Sequence, residues 1–127
     1  MASISDMSET RRLNLLMEIA AMLAFMDPDK ALKMTADVQE HPRLHRVRGW
    51  ALLNADRFDD AIAEFEKGFA EGDVACGVYA HRKLREDGRD PEKFDDLETA
   101  LVPYFNGRNV QLMYSQMMLC EESRSAN

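Results

Sequence analysis

The chain carries 46% hydrophobic and 31% charged residues over 127 positions, a balance that excludes disordered and membrane-embedded chains and gives enough length for one folded domain. Lysine and arginine total 16 against 23 aspartate and glutamate, a formal charge of −7, which works against binding nucleic acid by neutralising its phosphates. The longest apolar run, Ile19 through Met26, falls short of the roughly 20 residues a bilayer span requires, and no small-residue cleavage site after a basic start marks a secretory leader.

Prolines and glycines divide the chain into about seven helical segments, and no stretch alternates as a strand does. The expected fold class is therefore all-α. Residues 1–7 read as a flexible N-terminus. Ser8 can cap a first helix running to about Met26, with Leu13, Leu16, Met17, Ala20, Leu23 and Ala24 on one face. Asp27-Pro28 ends it and starts the second helix, 28 to about 40, because an aspartate cap followed by proline is a helix-start signature. His41-Pro42 closes that helix. Helix three spans about 42–55 and helix four about 57–71, and Gly72-Asp73 turns the chain into helix five, about 74–87. Asp87-Gly88-Arg89-Asp90-Pro91 is a glycine turn and a second cap-and-proline start, opening a sixth helix over about 91–102 that stops near Pro103. After the Asn106-Gly107 turn, a seventh helix runs from about Asn109 to Glu121, and residues 122–127 form a polar, flexible tail.

Helices three and four carry an ordered set of residue types. Gly49 is followed by Leu52, then Phe58 just inside the next helix, then Ala61, Phe65 and Gly68. The small residues allow two antiparallel helices to approach closely, and the large ones fill the space beside them. This pattern resembles the tetratricopeptide-repeat hairpin. Lys93-Phe94-Asp95-Asp96-Leu97 echoes Arg57-Phe58-Asp59-Asp60-Ala61 from 36 residues upstream, close to that repeat's period. In the first hairpin Ala31 precedes Ala61 by only 30 residues, so that copy is degenerate. The resemblance implies stacked helix-turn-helix hairpins over residues 8–121, at about 8–40, 42–71 and 74–102, forming a short superhelix closed by a capping helix at 109–121.

The resemblance also implies a function, a concave groove lined by the first helix of each pair that holds a segment of another protein. Carried over onto this chain, Arg43, Arg46, Trp50, Leu53 and Asn54 face the groove, with Leu13, Leu16, Ala20 and Leu23 on the wall from helix one. An apolar wall opposite a cationic one suits an amphipathic helix or extended peptide with an acidic group. Trp50 stands where a carboxylate clamp of this family would need asparagine, which argues against that mode. Trp50 can equally fill the core between hairpins, and Arg43, Arg46 and Arg48 can pair with neighbouring acids. Met113, Met117 and Met118 cluster on helix seven, either buried as a cap or exposed for docking. It also stays open whether the first hairpin joins the stack or covers the groove.

No catalytic, cofactor or metal pattern emerges. His41 and His45 are separated by Pro42, with no sequence-near carboxylate or thiol to complete a site. Asp59-Asp60 and Asp95-Asp96 fit helix starts, where the dipole favours negative charge. Cys76 and Cys120 fit buried, reduced thiols, consistent with a cytosolic protein. The expectation is a non-enzymatic, cytoplasmic adaptor or chaperone that binds another protein and neither nucleic acid nor membrane. Small bacterial members of the family include the chaperones of type III secretion needle or filament subunits, which this chain is similar to in size, acidity and apolar first helix. The alternative is a structural module forming a homodimer through apolar terminal helices.

Overall fold

The structure, a computed structural model, describes residues 2–104, with side chains from Ser8 onward. The seventh helix, its methionine cluster, Cys120 and the tail lie outside the described residues. Those described are helical, with no strand among them. Helix α1 is Ala2–Met26, α2 Pro28–Thr35, α3 Leu44–Asn54, α4 Phe58–Ala70, α5 Val74–Asp87 and α6 Pro91–Leu101, followed by a single 3-10 turn at Val102–Tyr104. The chain divides into two compact units, the first ending at Cys76 and the second beginning at Gly77, inside α5.

Two boundaries follow the cap-and-proline signature. Asp27 Oδ1 accepts the Lys30 amide at 3.3 Å, and Asp90 Oδ1 accepts the Lys93 amide at 3.0 Å, each with proline as the first helical residue. Two other boundaries differ from expectation. Helix α1 starts at Ala2, so Ser8 lies within it rather than at its cap; no glycine or proline interrupts the segment. Helix α2 stops at Thr35, well before residue 40. The Thr35 hydroxyl bonds the Ala31 carbonyl at 2.8 Å, and Arg48 Nη1 donates to the Leu32 carbonyl (3.1 Å) and the Thr35 hydroxyl (2.8 Å). A guanidinium from α3 thus satisfies the end of α2, and the chain leaves the helix there.

Helices α3 and α4 form an antiparallel hairpin through a tight turn. The Arg57 amide bonds the Leu52 carbonyl at 2.9 Å and the Asp56 amide bonds that of Leu53 at 3.1 Å, with Asp56 left-handed at φ 60°. The end of α4 repeats the arrangement, with the Asp73 amide on Gly68 (2.9 Å), the Gly72 amide on Phe69 (3.0 Å), and Gly72 at φ 104°. Across the hairpin Ala61 and Phe65 are fully buried and Leu52 nearly so. A Cβ on Gly49 would sit 2.6 Å from Phe65 Cδ1, and one on Gly68 would sit 2.5 Å from Cys76 Sγ. Both glycines therefore mark backbones pressed against side chains.

Helix α1 packs on α2 and α3, α2 on α3, and α3 on α4, so α3 is the centre of the first unit. One cluster joins Met17, Ala20, Leu44 and Val47, and a second joins Ala24, Ala31 and Ala51. Burying a residue the size of Met17 or Phe65 completely contributes about 2–3 kcal/mol. In the second unit Val78, Ala80, Leu84, Leu97 and Leu101 are buried, and the His81 ring stacks on Phe94 at 4.4 Å, linking α5 to α6. Because α6 opens at Pro91, Asp95-Asp96 fall in its second turn rather than its first; Asp59-Asp60 do open α4.

Candidate protein-binding surface

The residues expected to line a groove do not share one surface. Leu23, Trp50 and Asn54 come together where α1 meets α3. Leu23 and Trp50 pack on the alanine cluster, and Asn54 Nδ2 donates to the Ala24 carbonyl at 3.0 Å and the Trp50 carbonyl at 3.0 Å. Trp50 is half-buried, between Phe25 (ring centroids 5.5 Å apart) and Phe65 (6.0 Å, edge-on), in an aromatic row that joins α1, α3 and α4. Leu13 and Leu16 instead line a hollow of about 640 Å³ beside Met34 and Val38. Leu53 and Arg43 are half-buried, and the Arg43 amide donates to His41 Nδ1 at 3.1 Å. Ala20 is fully buried within the core.

Arg46 lies at the other end of α3, in a polar network. Its guanidinium grips Asp73 with Nη2 at 2.9 and 3.1 Å and Nε at 3.2 Å. His45 stands between two carboxylates, Nδ1 on Glu64 and Nε2 on Glu71 at 2.9 Å, and Arg48 Nε lies 3.9 Å from Glu64. The sequence shows no carboxylate near His45, but folding supplies two from α4 and the turn after it. Of these groups, His45, Arg46, Glu71 and Asp73 border a hollow of about 880 Å³ that is also lined by His41, Leu44 and Gly68. Burial, then Arg43 nearby, lowers the pKa of His41 below the usual histidine value. Burial first, then Asp73, whose carboxylate accepts from the Cys76 thiol at 3.4 Å, pushes that thiol well above the ordinary range. A thiol held protonated in this way is a poor nucleophile. Among the described residues no three histidine, cysteine, aspartate or glutamate side chains are grouped to hold a metal ion, and no helix is long and apolar enough to cross a membrane.

The surface that sequence reasoning missed is the outer face of α1. Leu15, Ile19, Met22 and Met26 are 56%, 41%, 61% and 77% exposed and stand at spacings of four, three and four, a continuous stripe along one side of a helix. The inner face, Met17, Ala20 and Ala24, is fully buried. Of the expected wall, Leu16 and Leu23 lie between these two faces and Leu13 lies on the side of Met17 and Ala20, all three half-buried. The signal was available, since the four-three-four spacing is as regular as that of the inner set. Both faces are apolar, so periodicity alone does not say which one the core takes.

On this face a helix anchored by its alanine side presents flexible methionines and branched side chains outward, a surface suited to apolar contact. No protein-family model, curated protein or solved structure matches the chain.

Proposed function

We propose that the chain is a non-enzymatic adaptor or chaperone built of tetratricopeptide-like hairpins, which holds an amphipathic helix of another protein. The observation that carries this reading is the two-faced apolar character of α1. A helix that buries one face and leaves four large aliphatic side chains 41–77% exposed on the other is organised for contact with a further helix. The recognition surface then centres on Leu15, Ile19, Met22 and Met26, a quarter turn around α1 from Leu16 and Leu23. Trp50 and Asn54 serve to fix α1 against α3, and the Arg46–Asp73 pair fixes α3 against the turn before α5.

A displayed random-peptide library panned against the full chain, with the Met22→Asp variant as counter-selector, tests this. Peptides with apolar residues at i, i+3 or i+4, and i+7 should be enriched and should bind the wild type only. Met22 is exposed, so the variant should keep its helical signal and melting temperature. A library that yields no enriched family, or peptides indifferent to Met22→Asp, refutes the reading.

A further inference from the structure

We infer that the hollow beside Leu13 and Leu16 is a docking site for a segment of another protein that carries a large apolar side chain next to a lysine or arginine. The site is separate from the α1 stripe and does not depend on it, since Leu13 lies on the side of Met17 and Ala20. The hollow opens where α2 ends. A helix continued to residue 40 would lay a further turn along α1, but the chain leaves the helix at Thr35, where Arg48 bonds the Leu32 carbonyl and the Thr35 hydroxyl. About 640 Å³ of space is left, floored by Leu13, Leu16, Met34 and Val38, each half-buried. That volume falls within the roughly 300–1,000 Å³ of ligand sites. Four aliphatic side chains around it favour an apolar occupant, because filling the space removes their remaining surface from water.

Charge at the rim sets what must stand beside that apolar group. On the α1 side Glu9 and Arg12 pair with each other at 2.9 Å and neutralise one another. On the other side Asp37 and Glu40 are exposed, and their carboxylates make no hydrogen bond or ion pair. Arg11, Lys33 and Arg43 are the neighbouring cations in sequence, and none of them lines the hollow. The rim is therefore acidic, and the chain's charge of −7 adds a long-range attraction of the same sign for a basic guest. A lysine or arginine also suits the floor, since its aliphatic stem lies on apolar surface while its head reaches a carboxylate. The tetratricopeptide-like pattern implied the reverse, a cationic wall and an acidic guest. In the structure Asp73 takes up the Arg46 guanidinium, and it is carboxylates that stand beside Leu13 and Leu16, so the guest's charge changes sign.

Short synthetic peptides with a central leucine or phenylalanine and lysines on one side or the other, fluorescently labelled and titrated with the full chain, test this by anisotropy. Dissociation constants on the order of 10–100 μM are expected. Replacing the lysines by glutamate, or the apolar residue by alanine, should weaken binding about tenfold or more, and raising salt from about 20 to 300 mM should weaken it several-fold. Asp37→Lys with Glu40→Lys in one chain alters only exposed side chains, so the fold should persist while the preference turns to the glutamate peptides. Backbone amide shifts of the isotope-labelled chain should move at positions 13, 16, 34 and 38. Four results overturn the inference: no binding below about 1 mM, equal binding of the alanine peptides, a preference for lysine that survives the double reversal, or amide shifts confined to other positions. Met22→Asp separates this site from the stripe. Binding of the lysine peptides unchanged in that variant supports the hollow; binding lost in it overturns the hollow and leaves the adaptor reading of the stripe standing.

Discussion

Replacing Gly49 by alanine should destabilise the first unit, although glycine-to-alanine in a helix interior is ordinarily a gain of about 1 kcal/mol. The new Cβ would lie 2.6 Å from Phe65 Cδ1 and 2.8 Å from Cζ, well inside van der Waals contact. The ring is fully buried, and the edge-on Trp50 at 6.0 Å leaves it little room to retreat. Overpacking of this kind costs about 1–3 kcal/mol after relaxation. With so little room to relax, the cost falls in the upper part of that range, about 2–3 kcal/mol, and subtracting the propensity gain of about 1 kcal/mol leaves a net loss of about 1–2 kcal/mol and a fall in melting temperature of roughly 4–10 °C. Thermal and urea unfolding followed by far-ultraviolet circular dichroism would read it. Ala63→Gly on the exposed side of α4 calibrates the propensity term. The decisive control is a double-mutant cycle with Phe65→Leu. In that background the shorter side chain leaves space, and Gly49→Ala should become neutral or stabilising, a coupling of about 2 kcal/mol. A Gly49→Ala protein as stable as the parent, or a penalty that persists in the Phe65→Leu background, would refute the close-approach account of this hairpin.

Other changes test separate links. Arg48→Met, which keeps the stem but removes the donors to Leu32 and Thr35, should cost about 1.5–3 kcal/mol in urea unfolding, the range for a hydrogen bond from a charged donor. Asp56→Gly should stabilise by about 1 kcal/mol, because a left-handed φ of 60° strains any residue with a Cβ; an unchanged urea midpoint would count against that strain. His81 is buried beside Phe94, and burial lowers its pKa below 6.5, with Glu98 opposing and Arg85 reinforcing. Above pH 6.5 neither state holds its proton; as pH falls from 6.5 toward the folded pKa, only the unfolded chain takes one up, so stability should decline across that window. The decline should be shallower in His81→Phe, whose buried ring does not titrate, and equal slopes for the two proteins would contradict the assignment. His41, also lowered, adds an acid sensitivity of the same sign.

Where local chemistry decides a boundary, the sequence was legible. Asp27-Pro28 and Asp90-Pro91 each carry their own cap and their own fixed φ, and both helices begin where those pairs stand. Gly72 ends α4 because it alone in that turn takes a left-handed backbone without strain. The end of α2 was not legible, since it is set by Arg48, 13 residues beyond Thr35 in the chain and brought back only by folding. His45 was opaque for the same reason. Its two carboxylates come from positions 19 and 26 residues later, on α4 and the turn that follows it, and no local spacing announces them.

The face of α1 was ambiguous for a subtler reason, and its resolution bears on what the chain does. Positions 13, 16, 20 and 23 and positions 15, 19, 22 and 26 are both spaced for a helix stripe. The core accepted the side that carries alanine. Helices α2 and α3 both lie against α1, and Ala24, Ala31 and Ala51 form one buried cluster there. Crowding from two neighbours selects small residues, and the larger ones on the opposite side of the helix are turned outward. Packing alone would be equally served by glutamate or lysine at 22 and 26, since polar replacements at exposed helical sites change stability by less than about 0.5 kcal/mol. The aliphatic character of the stripe therefore does little for the fold of the chain itself, and the proposed contact with another helix is what would account for it. The proposal thus turns on Met22, a residue whose replacement should leave the fold intact and remove the contact.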